Sequence, residues 1–191
     1  MTFNGAELPR KELPEHDWFR PAVSTEVGEI QLLYNGKDSL KPAMTANGIG
    51  NNVLSTVLLR WKAQKLIEDY GKPGELERDA DYQLRISGTQ DEQGSFLASF
   101  VTGFTLFLFP SSATLNRSWT FELKNGVTQE VYTVSARHSV TQWMHLVFLP
   151  VFPFSIVGQM HADRDLSHFV YDEFAKQGAW KHGSDDGEEG Q

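Results

Sequence analysis

His161, Asp163, Asp165 and His168 form the densest set of potential metal ligands in the chain. Imidazole and carboxylate together suit zinc or another divalent ion. A helix over about Asp163 to Gln177 would put Asp165 and His168 on one face, because residues three apart are neighbours there, while His161 precedes the helix. His161, Asp165 and His168 are therefore the metal candidates, and His161 with His168 is the pair a metal-dependent enzyme would use. The aspartates also have a purely structural role available. A carboxylate in the first turn accepts from free backbone N–H groups and meets the positive end of the helix dipole. Capping is the favoured role, and no metal or other cofactor is expected.

The remaining chemistry is sparse. Gly48-Ile-Gly-Asn-Asn-Val53 leads into a helix as a phosphate-binding turn would, but Val53 replaces the third glycine and no lysine follows. A loop with an asparagine cap explains it as well. No Gly-x-Ser-x-Gly elbow, His-Glu-x-x-His pair or Gly-x-x-x-x-Gly-Lys-Ser/Thr loop occurs. His138 and His145 flank an apolar run without an identifiable nucleophile or orienting carboxylate, so packed or surface histidines are expected. The chain has no cysteine, which excludes disulfides and thiolate chemistry. The expectation is a protein that is not an enzyme.

A formal charge of −8, from 17 basic and 25 acidic residues, argues against nucleic acid, whose phosphates need a basic face. Part of the acidity sits in Asp185-Asp-Gly-Glu-Glu-Gly-Gln191, expected to be a solvated tail. The N-terminal residues carry no basic start followed by an apolar run, as a secretory signal would.

The elements that would position these groups follow from periodicity. Residues 1–21, with Pro9, Pro14 and Pro21, read as an extended arm, 22–178 as one α+β domain, and 179–191 as a disordered acidic tail. A strand from Val27 to Tyr34 closes on Asn35-Gly36, and Ser39 to Gly50 reads as a loop. Leu54, Val57, Leu58 and Trp61 make the apolar stripe of a helix over Asn51 to Tyr70, capped by Asn51 or Asn52 and ended by Gly71. Ala80 to Ser87 alternates as a half-buried strand. Trp119 to Leu123 and Val127 to Val134 flank Asn125-Gly126, which fits a type I′ turn, although a two-residue loop would set Glu130 on the apolar face and so favours a longer one. Leu166, Phe169, Val170 and Phe174 mark a second helix, ended by Gly178. The expected fold is an antiparallel sheet of about five strands with two amphipathic helices packed on one face.

Two aromatic-rich segments most need explanation. Gln93 to Asn116 carries no charge, and Ser139 to Ala162 has only His145 and His161 as ionisable groups. Each approaches membrane-spanning length, so a two-span membrane protein is one alternative. Against it, the densely apolar parts are only about 15 residues long, contain Gly103, Pro110, Pro150 and Pro153, and favour Phe, Val and Thr. Phe96 to Phe109 then reads as a strand covered on both faces, with Ser111 to Asn116 as its connection onward, and Trp143 to Leu149 as a further strand. Pro110 and Pro150 would mark the same end of the sheet, gathering Phe107, Phe109, Phe148 and Phe152 at one tip suited to a lipid headgroup boundary or an apolar protein partner.

The order of elements resembles bacterial envelope lipoproteins whose soluble part carries two helices on an antiparallel sheet. The resemblance rests on Val53 to Ile67, Asp79-Ala-Asp-Tyr-Gln-Leu-Arg-Ile86, Thr105-Leu-Phe-Leu-Phe-Pro110, Trp119-Thr-Phe-Glu-Leu123 and the last helix with Leu166 and Phe169, and spans residues 25–178. It implies a periplasmic protein, membrane-anchored where a lipidated cysteine lies upstream. The expected role is therefore a non-enzymatic, lipoprotein-like part in assembly, scaffolding or lipid contact. A carrier of a small apolar ligand or lipid, with a cavity lined by Phe104, Leu106 and Leu58, is the alternative. Homo-oligomerisation through an open sheet edge is a further expectation.

Overall fold

Tyr82, Leu84 and Ile86 alternate with Gln83 and Arg85, and all three apolar side chains are buried. The computed structural model describes residues 20–39, 43–95, 104, 111–144 and 165–180. Along the chain these form β1 (Ala22–Tyr34), β2 (Lys37–Asp38), α1 (Ala43–Ala63), β3 (Asp69–Gly71), β4 (Tyr82–Gly94), β5 (Ser111–Asn125), β6 (Val131–Met144) and α2 (165–176). The sheet order is β2-β1-β4-β5-β6, with β3 also paired to β1. The class is α+β, as expected, with a six-stranded, mostly antiparallel sheet. The departure from a purely antiparallel sheet is β1, which runs parallel to both β4 and β3. α1 lies between β1 and β4 in the chain, and such a crossover is what parallel pairing requires.

One face of the sheet carries Val23, Leu84, Ile86, Trp119, Phe121, Leu123 and Val134. The core also holds Leu54, Val57, Leu58 and Trp61 of α1 and Val170 and Phe174 of α2, all buried. Each such side chain stabilises by about 1.5–3 kcal/mol through burial. The stripe of α1 is as read from the sequence, but the helix is displaced. It starts at Ala43 and ends at Ala63, so Gly48, Gly50, Asn51 and Asn52 lie inside it and neither asparagine caps it. Gly50 explains the displacement: a β-carbon there would stand 2.6 Å from side-chain carbons of both Val27 and Ile30. Glycine lets the helix backbone press onto β1, and that packing outweighs a helix penalty of about 1 kcal/mol. The helix stops on a left-handed Lys65 (φ 60°) in place of glycine. Leu66 N donates to Trp61 O and Lys65 N to Lys62 O, the paired bonds of a Schellman end. Gly71, expected to end the helix, instead closes β3.

Asn35 and Gly36 both have positive φ (51° and 74°), as a tight turn between β1 and β2 requires. Between β5 and β6 the loop is longer than the type I′ turn. Asn125 N donates to Glu130 O, Gln129 N to Asn125 O, and Asn125 Oδ1 accepts from Val127 and Thr128. Glu130 thereby stays off the apolar face. β5 begins at Ser111, so the connection expected over Ser111 to Asn116 is strand. At the end of α2, Gly178 (φ 82°) closes the helix as expected, with Ala179 N donating to Phe174 O. The packed body continues past residue 178: Ala179 is buried and Trp180 stacks on Tyr171, with ring centroids 5.0 Å apart. Only 181–191 of the expected tail lie outside the described residues, as do 1–19 of the arm.

Candidate functional site

The two ends of the sheet are built differently. At one, β4 finishes at Gly94, β5 begins at Ser111 and β6 finishes at Met144, with Gly94 opposite Ala113 and Ser111 opposite Met144. The segment after Ser95 and the segment after Met144 therefore root side by side, and these are the two aromatic-rich runs. Asn35 pins the first root: its Nδ2 donates to Gly94 O, and its Oδ1 accepts from Gly94 N, both at 3.0 Å. Tyr34 Oη donates to the same carbonyl. Across β5 and β6 the side chains are tied by neutral bonds, Thr114 to Thr141 at 3.0 Å and Ser139 Oγ to Asn116 Oδ1 at 2.7 Å. Ser112 to Ser118 are half-buried at every position, whereas Trp119 to Leu123 bury alternate residues.

The opposite end is a lock of charge and aromatic contact. Arg78 bonds both Glu68 Oε2 (2.8 Å) and Asp81 Oδ2 (2.9 Å), and these carboxylates hold its pKa above the ordinary guanidinium value. Asp81 Oδ2 also accepts from Ala22 N at 2.7 Å, and Asp81 O accepts from Gly126 N. Trp180 packs against Trp61, Tyr82, Tyr171 and Phe174. Tyr82 Oη donates to Ala179 O at 2.7 Å, and Trp61 Nε1 donates to Ser167 O. Burial first, then the Asp172 and Tyr82 charges, push the Tyr171 hydroxyl up to about 12.

Of the tip residues read from the sequence, Phe107, Phe109, Phe148 and Phe152 lie outside the described residues, as do Leu106, His145, His161 and Asp163. Phe104 is helical and 82% exposed, so it is not part of a strand covered on both faces. Leu58 is fully buried in the core. Asp165 is exposed at the start of α2, and His168 Nε2 lies 3.0 Å from Gln64 Nε2. Among the described residues no three His, Cys, Asp or Glu side chains lie together as metal ligands would. His138 sits on β6 opposite Arg117. Gly48 to Val53 lie inside α1, with Gly50 packed on β1 and Gly48 exposed, which removes the anion-binding turn. No helix among the described residues is long and apolar enough to cross a membrane.

Sequence reasoning missed the open face of the sheet. Glu29, Gln31, Arg85, Ser87, Thr89 and Glu122 line a polar cleft there. Arg85 lies across Gly28, where a β-carbon would stand 2.7 Å from its Nε, and pairs with Glu26, which Gln83 also bonds. The irregularity between Val27 and Ile30 falls at Glu29, one of the residues lining this cleft. A glycine next to acidic residues was its only trace in the sequence, and no periodicity marks such a bulge.

No protein-family model matches the chain, and no curated protein matches it. Among solved structures it is similar to a Xanthomonas campestris protein assigned to DUF330, with 13% identity, 90% of this chain and 93% of that one covered, and a TM-score of 0.45. It is also similar to a minor lipoprotein from Acinetobacter baumannii, with 13% identity, 83% and 93% covered, and a TM-score of 0.39.

Proposed function

We propose that the chain is a non-enzymatic, lipoprotein-like envelope protein that docks one end of its sheet on a lipid surface. The observation that carries this reading is the common root of the two aromatic-rich segments at Gly94, Ser111 and Met144. Two uncharged runs from one end of a sheet form a single apolar pole, and the charged lock lies some 12 residues of strand away, about 40 Å. Phenylalanine and tryptophan at such a pole suit the boundary between headgroups and acyl chains, where apolar rings are buried without a polar backbone having to cross the bilayer. Phe107, Phe109, Phe148 and Phe152 are the contact residues, and the neutral Thr114–Thr141 and Asn116–Ser139 pairs stand next to the boundary. The body is then a spacer that holds its charged end in the periplasm.

The test is flotation with phosphatidylethanolamine–phosphatidylglycerol vesicles. The wild-type chain floats with the vesicles, and the double variant Phe109→Ser, Phe152→Ser stays in the dense fraction with an unchanged circular dichroism spectrum. Equal flotation of the two proteins rejects the reading.

A further inference from the structure

The two edges of the sheet are guarded unequally. On the β1 side the edge is covered by β2, two residues long, and β3, three residues long, and β1 is interrupted between Val27 and Ile30. Charges stand on these short strands, Lys37 and Asp38 on β2 and Asp69, which Lys62 pairs, on β3. Short strands, irregularities and charges are the devices that stop one edge from pairing with another. β6 has only one of them, the charge of Arg137. It is 14 residues long, runs in unbroken register with β5 and contains no proline or lysine.

The direction of its backbone groups follows from two contacts. Asn125 N bonds Glu130 O across the ladder, so even-numbered residues of β6 face β5 and odd-numbered ones face outward. Gln177 Nε2 donates to Thr133 O at 3.0 Å and closes the edge there. Beyond it Ser135, Arg137, Ser139 and Thr141 are all exposed, and on the side away from β5 no strand among the described residues pairs with them.

We propose that this open span pairs with the same span of a second copy, antiparallel, about a two-fold axis at His138. That register sets Arg137 opposite Ser139 and Ser135 opposite Thr141. Both copies then pair from Ser135 to Thr141, making about eight backbone hydrogen bonds. A shift one way opposes Arg137 to itself and calls on the occupied Thr133. A shift the other way opposes Ser139 to itself, moves Arg137 opposite Thr141 and sets Ser135 opposite Trp143 at the end of the strand. Ser139 and Thr141 are tied to Asn116 and Thr114 of β5, so their small neutral side chains turn away from the partner and leave the backbone of the edge clear. The guarded edge leaves no complementary strand for head-to-tail assembly, and a two-fold pair closes on itself.

The experiment is sedimentation equilibrium of the full chain at pH 7.5, in a non-ionic detergent that masks the apolar pole. The wild-type chain is expected as a dimer. Ser139→Pro, which removes an outward N–H and the side-chain bond to Asn116 but no backbone bond to β5, is expected as a monomer with unchanged circular dichroism. Ser139→Glu puts a carboxylate opposite Arg137 twice over and should tighten the dimer by roughly three- to tenfold, and Ser139→Arg should weaken it by a similar factor. A monomeric wild type, a dimeric proline variant or indifference to both charge variants overturns the proposal. The Phe109→Ser, Phe152→Ser variant should remain dimeric, which separates this interface from the lipid-binding pole.

Discussion

The two ends of the sheet treat polar groups in opposite ways. At the Tyr82 end, charged and aromatic side chains close on one another: Arg78 on Glu68 and Asp81, Asp81 on the backbone of Ala22, Trp180 on four other rings. At the Gly94 end one carboxylate, Asp91, accepts from Gly36 N and Gln93 Nε2, and the other ties are neutral, made by Asn35, Thr114, Thr141, Asn116 and Ser139. The first arrangement fastens separate parts of the chain together. The second ties strand ends to their neighbours mainly through neutral groups and forms no salt bridge like that of Arg78 among the described contacts. Stability should therefore reside in the first and association in the second.

The sharpest way to break this contrast is Trp61→Ala. It removes a fully buried ring, its bond to Ser167 O and its packing on Tyr171 and Trp180, and should cost about 3–5 kcal/mol in urea unfolding. Asp81→Ala strips the acceptor of Ala22 N and a partner of Arg78, and should cost about 1–3 kcal/mol by the same measurement. A third effect depends on pH. The Tyr171 hydroxyl is raised to about 12 in the fold and ionises near 10 when unfolded, so the neutral form is favoured by folding. Its contribution is complete below pH 10 and is lost as pH rises from 10 through 12. Alkaline unfolding followed by circular dichroism should shift to higher pH in Tyr171→Phe. Lys65→Gly relieves a left-handed lysine and should raise stability by about 0.5–1 kcal/mol. The Phe109→Ser, Phe152→Ser variant should change stability least, within about 0.5 kcal/mol, while losing vesicle flotation. A large loss of stability in that variant would erase the distinction between the two ends.

The sequence was legible where one face of an element is buried. Leu54, Val57, Leu58, Trp61, Tyr82, Leu84 and Ile86 all sit where their spacing puts them, because each element contributes one apolar stripe to one core. It was misleading where a local preference meets a tertiary contact. Gly48, Gly50, Asn51 and Asn52 read as a loop and cap, yet the close approach of α1 to Val27 and Ile30 draws them into the helix. The parallel pairing of β1 with β4 was invisible, since periodicity gives a strand's faces but not its neighbour's direction. Arg137 drew no notice on β6 because an edge is defined only once the sheet order is known.

Because β1 runs alongside β4, the described chain enters at Arg20 and leaves at Trp180 near the same residue, Tyr82: Val23 is its ladder partner, and the Trp180 ring centroid is 5.2 Å from that of Tyr82. Fluorescent or affinity fusions made directly at Arg20 or Trp180 would sit at the Tyr82 end of the sheet, away from Gly94 and Ser111. A circular permutant joining the two extremities by a short glycine–serine bridge should fold with its strand order intact.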